Sequence, residues 1–358
     1  MGSVCFFNTA KAWGGGEKWH FEVSKHMHEK GEEVMVFAHL QSVLFQKLKE
    51  AKIPCEGIRV TNLSFLNPIK HLQLKKRFKK GQYQCVVMNL SRDVKVAGPS
   101  AKKAGINRII YRRGSAIPIK NNFLNRYLFK NIVTEVLANS EATKRTINEN
   151  NRHLFPSEKI SVIYNGIDVT KSAKASSIKN SQTPLIVNLG RLEYQKNQKF
   201  LVELAKLLVQ RGLDFKMIIG GEGRLKDDLQ TQIHQLGLEK KVLLKGFIEH
   251  PLDFIDQADI FVLPSFWEGF GYVLAEAALC KKPIVAFNVS SNPEVVLDQK
   301  TGYLVPNGNT AMFADKISEL LSNKDKRAQM GKAGHEFVKQ NFDKVKQLQK
   351  IESFLLNG

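Results

Sequence analysis

Residues 260–287 read IFVLPSFWEGFGYVLAEAALCKKPIVAF. A β-rich apolar run, IFVLPS, leads into a loop broken by Gly269 and Gly271, then an apolar helical pattern, FGYVLAEAALC, then a second β-rich run, PIVAF. Parallel strands need a crossover of about helix length between them, so strand, helix and strand in that order predict a parallel βα unit. The alternation extends in both directions. LIVNLG, FKMIIGGEG and KVLLKGF precede it with helical stretches such as NQKFLVELAKLLVQRG between them. Nearer the N-terminus, VCFFN, VMVFA, YQCVVMN, RIIYR, EVLAN and ISVIY repeat the pattern, and in EKWHFEVSKHMHEKG the residues Trp19, Val23 and Met27 recur every four positions, as on one helix face. The expected fold class is α/β, each half an open doubly wound parallel sheet whose ligands bind beyond the carboxyl ends of its strands. Two such sheets face to face make a cleft.

At 358 residues the chain exceeds one ordinary core, so two domains are expected, 1–168 and 169–339, with a closing helix at about 340–358 packing back on the first. In that closing segment Phe337, Phe342, Val345, Leu348, Ile351 and Leu355 make a broken apolar stripe. After Asp168, VTKSAKASSIKNSQTP has no apolar periodicity and reads as a mobile loop opening the second domain. Cys5, Cys55, Cys85 and Cys280 are too widely spaced for a disulfide framework or a metal knuckle, which fits a reducing cytoplasm. The opening MGSVCFFNTAK lacks the pattern of a signal peptide, and no run of about 18 apolar residues occurs to span a membrane. A cytoplasmic protein, soluble or peripheral on the inner membrane face, is expected.

Charge is unevenly spread. Lys and Arg number 54 against 34 Asp and Glu, a net +20, and 28 basic against 13 acidic residues fall in the stretch ending at Asp168. The first half thus carries +15, all of it beyond the neutral first fifty residues, with its densest run KHLQLKKRFKK at 70–80. A solvated helix face explains that run as well as an anionic partner does, but the lopsided total points to a partner.

Three stretches carry candidate chemistry. In NTAKAWGGGEK, Gly14, Gly15 and Gly16 precede a helix starting near Glu17; such glycines let backbone N–H groups approach an anion, though a tight turn uses them equally well. The spacing does not fit GxGxxG, which counts against a nicotinamide enzyme. In NLGRLEYQKNQKF, Arg191 and Lys196 follow a strand end at the mouth of the next helix, where a guanidinium fork and an ammonium suit a diphosphate. In FWEGFGYVLAEAA, Gly269 and Gly271 free the backbone N–H groups of residues 270–272, Glu268 sits in the loop, and Glu276 lies about a turn and a half into the helix. Carboxylates so separated suit two hydroxyl contacts along an extended polyol better than a shared proton. A helix-dipole acid and an exposed helix glutamate would look the same.

Together, GGGEK, GRLEYQKN, GGEGRLKDDL, the GF at 246–247 and EGFGYVLAE followed by KKPIVAF resemble the retaining glycosyltransferases of family 4, over essentially the whole chain and in the family's order. The resemblance implies the GT-B fold, two Rossmann-like domains facing across a cleft, with the donor on the second and the acceptor on the first. It implies that Arg191 and Lys196 hold the donor diphosphate and stabilise the charge of the departing nucleotide. Glu268 would meet the transferred sugar, with the backbone of Gly269, Phe270, Gly271 and Tyr272 as its cradle, and Glu276 would take the ribose hydroxyls. Gly15 and Gly16 would close on the phosphates; Gly221, Glu222 and Gly223, with Phe247 and Ile248, would line the nucleoside pocket. The partners implied are a nucleotide-diphosphate sugar, UDP before GDP, and a lipid-linked, lipopolysaccharide or polysaccharide acceptor of the cell envelope. On the membrane side, residues 70–80, with Leu72, Leu74 and Phe78 interleaved, are expected against anionic headgroups.

No Asp-x-Asp triplet occurs, and no His pairs with Cys or Asp at ligand spacing, so no metal and no cofactor are expected. Two departures from the family pattern stand out. Where members often carry a histidine after the fifth strand, IIYRRGSAIP offers Arg113, which cannot act as a base at neutral pH but, like Arg112, suits an acceptor anion or a structural role. Cys280 replaces a common glycine. A sugar-nucleotide epimerase shares this architecture but needs acid and base groups instead of the cationic clamp. A nucleic-acid-binding protein would fit the charge, yet no helix-turn-helix, zinc finger or RNA-stacking motif is visible.

Overall fold

The structure, a computed structural model, describes residues 3–171 and 183–357. Most of the loop expected after Asp168, residues 172–182, lies outside the described residues. The chain forms two compact units, one taking the chain through Gly166 and again from Val345, the other running Ile167–Lys344.

The first unit is a seven-stranded parallel sheet: β1 (Ser3–Asn8), β2 (Glu33–Ala38), β3 (Cys55–Gly57), β4 (Cys85–Met88), β5 (Arg108–Arg113), β6 (Glu135–Ala138) and β7 (Ile160–Val162). Their spatial order is β3-β2-β1-β4-β5-β6-β7. The strands read as unbroken apolar runs because both faces are covered. Along β1, Val4 and Phe6 point to one face and Cys5 and Phe7 to the other, so each strand feeds two separate cores. The first face is covered by α1 (Gly15–Glu29), where Trp19, Val23 and Met27 are all buried as their spacing predicts, and by α2 (Val43–Glu50). The second is covered by α3 (Pro68–Gly81), α4 (Ser91–Lys103), α5 (Phe123–Asn131) and α6 (Glu141–Asn148). Within α3, Leu74 and Phe78 are core residues. This corrects the expectation for the basic run at 70–80: of its three interleaved apolar side chains only Leu72 is exposed, because residues four apart share the inward face.

In the second unit, β8 (Leu185–Leu189), β9 (Lys216–Gly220), β10 (Val242–Gly246), β11 (Ile260–Leu263), β12 (Ile284–Phe287) and β13 (Gly302–Val305) form a parallel sheet ordered β10-β9-β8-β11-β12-β13. The helices are α7 (Gln198–Gln210), α8 (Lys226–Gln235), α9 (Pro251–Asp256), α10 (Tyr272–Leu279), α11 (Asn292–Val295), α12 (Thr310–Ser322) and α13 (Lys324–Asn341). In both sheets the order reverses at one point, between β1 and β4 and between β8 and β11, the topological switch point beyond whose strand ends open α/β sheets bind their ligands.

The closing segment is two helices. α13 ends at Phe342, whose ring packs edge-on against Phe270 and Phe337, and α14 (Lys344–Asn357) follows. Ile167 brackets the break, donating to the Phe342 carbonyl at 2.8 Å and accepting from the Lys344 N–H at 2.9 Å. α14 buries Ile351 and Leu355 against the β1 core of the first unit, and its terminal carbonyls at Phe354 and Leu355 each accept a 2.8 Å hydrogen bond from Arg108. A guanidinium at a helix C-terminus also suits the helix dipole. No helix among the described residues is long and apolar enough to cross a membrane.

Candidate functional site

The loops after β8 and β11 flank the switch point of the second sheet, and they carry the residues singled out in the sequence. Lys196 ends a short 3-10 turn after β8, and Glu268 lies in the loop after β11. Lys196 Nζ donates to Glu268 Oε1 at 2.6 Å, with the side chains only 15% and 7% exposed. The backbones are stitched as well: Phe266 N–H donates to the Gln195 carbonyl at 2.9 Å, Gln195 Nε2 to the Trp267 carbonyl at 2.8 Å, and Asn197 Nδ2 to the Pro264 carbonyl at 3.2 Å. Asn197 takes the left-handed conformation (φ 53°) that turns the chain into α7, and the Tyr194 ring lies over Phe266 with centroids 4.9 Å apart. Nothing in the sequence pattern singles out Gln195 and Asn197 as the stitching residues.

Gly271 (φ 75°) caps α10, a backbone position that a side chain would strain. Phe270 is buried, and Tyr272 and Glu276 are half-buried, Glu276 just over one turn into the helix. Arg191 is exposed beside Gly190, where an added Cβ would stand 3.4 Å from the Lys196 stem.

Gly221 and Gly223 do structural work. The Gly190 N–H donates to the Gly220 carbonyl at 3.0 Å, Leu192 N–H to the Glu222 carbonyl at 2.9 Å, and Gly221 N–H to the Gly246 carbonyl at 2.7 Å, lacing together the loops after β8, β9 and β10. A Cβ on Gly221 (φ 127°) would stand 2.0 Å from the Gly190 carbonyl oxygen, and one on Gly223 would stand 2.3 Å from that of Leu192. Phe247 is exposed, whereas the Ile248 side chain packs beside Gly220.

In the first unit, the strand ends at its switch point hold a buried polar network. Glu17 Oε1 accepts from Asn8 Nδ2 and Asn89 Nδ2, each at 3.3 Å, and Arg112 donates to Asn89 at 3.3 Å and to Asn165 at 3.1 Å. Gly16 is needed because a Cβ there would meet Asn89 Nδ2 at 2.7 Å; Gly15 opens α1 beside it. Arg112 also lies over the Trp19 ring, 5.1 Å from its centroid. His20 packs edge-on to Phe6 and Trp19 with neither ring nitrogen hydrogen-bonded, and burial, aided by the Arg112 charge, holds its pKa well below the usual value. Asp93 accepts from the Thr9 hydroxyl, from the Thr9 N–H at 3.3 Å and from the Leu90 N–H at 3.2 Å; burial raises its pKa to about 7 against these opposing bonds. Arg113 turns onto its own loop, donating to the Ile117 carbonyl and to the Tyr111 hydroxyl.

Comparison with known proteins decides the family. Residues 13–171 match Glycosyltransferase Family 4 and residues 169–337 match Glycosyl transferases group 1. This chain belongs to the family 4 glycosyltransferases. The glycosyltransferase is 31% identical, over 68% of its own length and 67% of the other, to the Campylobacter jejuni N-acetylgalactosamine-N,N'-diacetylbacillosaminyl-diphospho-undecaprenol 4-alpha-N-acetylgalactosaminyltransferase. It is 26% identical, over 83% and 81%, to the Escherichia coli UDP-Gal:alpha-D-GlcNAc-diphosphoundecaprenol alpha-1,3-galactosyltransferase. To the Staphylococcus aureus poly(ribitol-phosphate) alpha-N-acetylglucosaminyltransferase it is 32% identical over 55% of its length, a match spanning only 39% of that protein. In fold it superposes on Anabaena HepE, solved in complex with UDP, with a TM-score of 0.86 over 99% of both chains at 22% identity.

In this glycosyltransferase two cations, Arg191 and Lys196, thus stand at the carboxyl end of β8, and a carboxylate and a glycine-capped helix stand at that of β11. Such a set can neutralise an anion on one side and accept from hydroxyls on the other. Among the described residues no group of three or more His, Cys, Asp or Glu is placed to hold a metal ion.

Proposed function

We propose that this glycosyltransferase moves a sugar from a nucleotide-diphosphate sugar, a UDP-sugar before a GDP-sugar, to a lipid-linked or polysaccharide acceptor of the cell envelope, with retention of configuration and without a metal. The observation that carries the donor assignment is the Lys196–Glu268 pair at the switch point of the second sheet. In this reading Arg191 and Lys196 grip the diphosphate, Glu268 holds Lys196 and faces the sugar hydroxyls, and Glu276 receives the ribose. The acceptor hydroxyl attacks the anomeric carbon from the side the diphosphate leaves. Its bond to that carbon forms as the carbon–phosphate oxygen bond breaks, and the departing phosphate oxygen takes the proton. The two cations supply the charge stabilisation that a metal gives in other transferases.

Lipid-linked acceptors are supported by the names of the Campylobacter jejuni and Escherichia coli relatives, and a UDP donor by the latter and by the UDP complex of HepE. An epimerase is disfavoured because the curated relatives named above are transferases. The test is incubation of nucleotide sugars with polyprenyl-diphosphate glycans in excess EDTA, with the new linkage read by NMR. A product of the donor's own anomeric configuration is expected. An inverted product, an EDTA-abolished reaction, or a new nucleotide sugar formed without acceptor would each refute part of the reading.

A further inference from the structure

The Lys196–Glu268 pair has aromatic rings on both of its loops. Tyr194 stands two residues before Lys196, and Phe266 and Trp267 directly precede Glu268. The Tyr194 ring lies 4.9 Å from that of Phe266, with the planes 33° apart, and 6.2 Å from that of Trp267. The two loops are locked together by the hydrogen bonds of Gln195 and Asn197, so the cluster is assembled before any ligand arrives. It is not closed off as a core would be. Tyr194 keeps 67% of its surface in water, and Phe266 and Trp267 are half-buried.

An exposed ring by itself is ordinary on a protein surface. Here three adjoin, held rigidly at the carboxyl end of the second sheet, where the charge chemistry of the pair has no use for them. Tyr and Trp give a large contact area with little side-chain freedom to lose on binding. The face of an aromatic ring is negative, and a pyranose presents to it a face of slightly positive, apolar C–H bonds with hydroxyls at the edges. A protein partner would need roughly 1,000 Å² of interface, more than three rings that already half cover one another supply. A nucleobase would stack as well, but the loops after β9 and β10, which the proposed reading gives to the nucleoside, lie on the far side of β8 from β11.

We propose that Tyr194, Phe266 and Trp267 form a stacking platform for the acceptor, on which the pyranose that receives the transferred sugar lays its C–H face against the Tyr194 and Trp267 rings. This rests on the transfer reading of the Lys196–Glu268 site and adds to it a class of acceptor, one that ends in a pyranose ring and not in an open-chain polyol. Selectivity follows from the shape of that sugar. A ring with an axial hydroxyl on the stacking face is held off the platform, and one with only C–H bonds there sits flush.

The test is saturation-transfer NMR of the whole chain with the methyl glycosides of glucose, galactose, N-acetylglucosamine and N-acetylgalactosamine, and with ribitol as the open-chain comparison. At least one glycoside is expected to be saturated through its ring C–H protons, and ribitol is not. The signal should fall about fivefold in Tyr194→Ala and in Tyr194→Leu, which keeps the bulk without the ring, and should persist in Tyr194→Phe, which keeps the ring. Melting temperatures should be unchanged, since Tyr194 is exposed, and UDP affinity should be native in all three variants. No saturation of any glycoside on the native chain, an equal signal from ribitol, or a full signal from Tyr194→Ala would overturn the platform and leave the donor reading standing. Weakened UDP binding in Tyr194→Ala would give the ring to the nucleotide and overturn it equally. Glycosides held through Tyr194 on a chain that binds no nucleotide sugar would uphold the platform as a carbohydrate site and count against the transfer reading alone.

Discussion

Lys196 and Glu268, 72 positions apart in the chain, meet at 2.6 Å between the loops that follow two neighbouring strands of the second sheet. Both side chains are largely removed from water, so removing either leaves its partner charged and unpaired at a cost of about 3 kcal/mol. Lys196→Ala and Glu268→Ala should each lower the urea midpoint accordingly, and the double variant should lose less than the two losses summed. Additive losses would mean that the pair is not coupled. Under the proposed function each single variant also loses at least about a hundredfold in turnover, the usual scale for one electrostatic donor.

Gly221 is fixed by the Gly190 carbonyl against it. Gly221→Ala combines a positive φ with a Cβ 2.0 Å from that oxygen, and it should push the loop after β8 outward, with Lys196 on it. The expected result is a loss of about 2 kcal/mol in stability together with a raised KM for the donor. A variant with native KM would show that the lacing of the three loops does not position the clamp.

Asp93 makes stability depend on pH in an unusual direction. Burial raises its folded pKa to about 7, above its value in the unfolded chain. Its contribution is therefore fully present below the unfolded pKa and is lost as pH rises through about 7. His20 acts oppositely, since its folded pKa is lowered: its contribution is present above the unfolded value and fades as pH falls through the folded one. The two slopes offset each other in mildly acidic solution, so the informative quantity is a difference. Between pH 5 and about 8, urea midpoints of Asp93→Asn should rise relative to the native chain as pH increases. A flat difference would remove Asp93 as a titrating group.

Arg108 ties α14 to the sheet through the Phe354 and Leu355 carbonyls and pairs with both oxygens of Glu135 at 2.8 Å. Arg108→Ala should cost about 3 kcal/mol and raise amide exchange across residues 345–357, while Arg108→Ala/Glu135→Ala should recover part of the loss by removing the stranded carboxylate. Unchanged exchange in α14 would contradict the anchor.

The alternation of strands and helices was legible because parallel strands buried on both faces leave continuous apolar runs. Two edge strands were not. β3 is the three-residue CEG and β13 the four-residue GYLV beside turn residues, and neither makes a run long enough to register. A closing helix is expected from about residue 340, and α14 begins at Lys344; the exact place of the break is not legible because its cause is tertiary, the Phe342 ring on Phe270 and the pairing with Ile167. At the site, Lys196 and Glu268 could each be marked as candidates, but no sequence spacing announces an ion pair across 72 residues. The Asn8, Asn89 and Asn165 network did leave a trace: FFN, VMN and IYN each place an amide directly after an apolar strand run, at the end where such sheets bind ligands. The family resemblance implies that Gly221 and Gly223 line the nucleoside pocket, whereas contacts between backbones already require glycine at both.

The most direct test of the donor account is a titration calorimetry series with UDP, GDP and their sugars on the native chain and on Lys196→Ala and Glu276→Ala variants that still melt cooperatively. The account predicts saturable binding of at least one nucleotide-diphosphate sugar without added metal, weakened at least about tenfold in each variant by loss of a charged contact. Native-strength binding in both variants, or no binding of any of these compounds to the native chain, would contradict it.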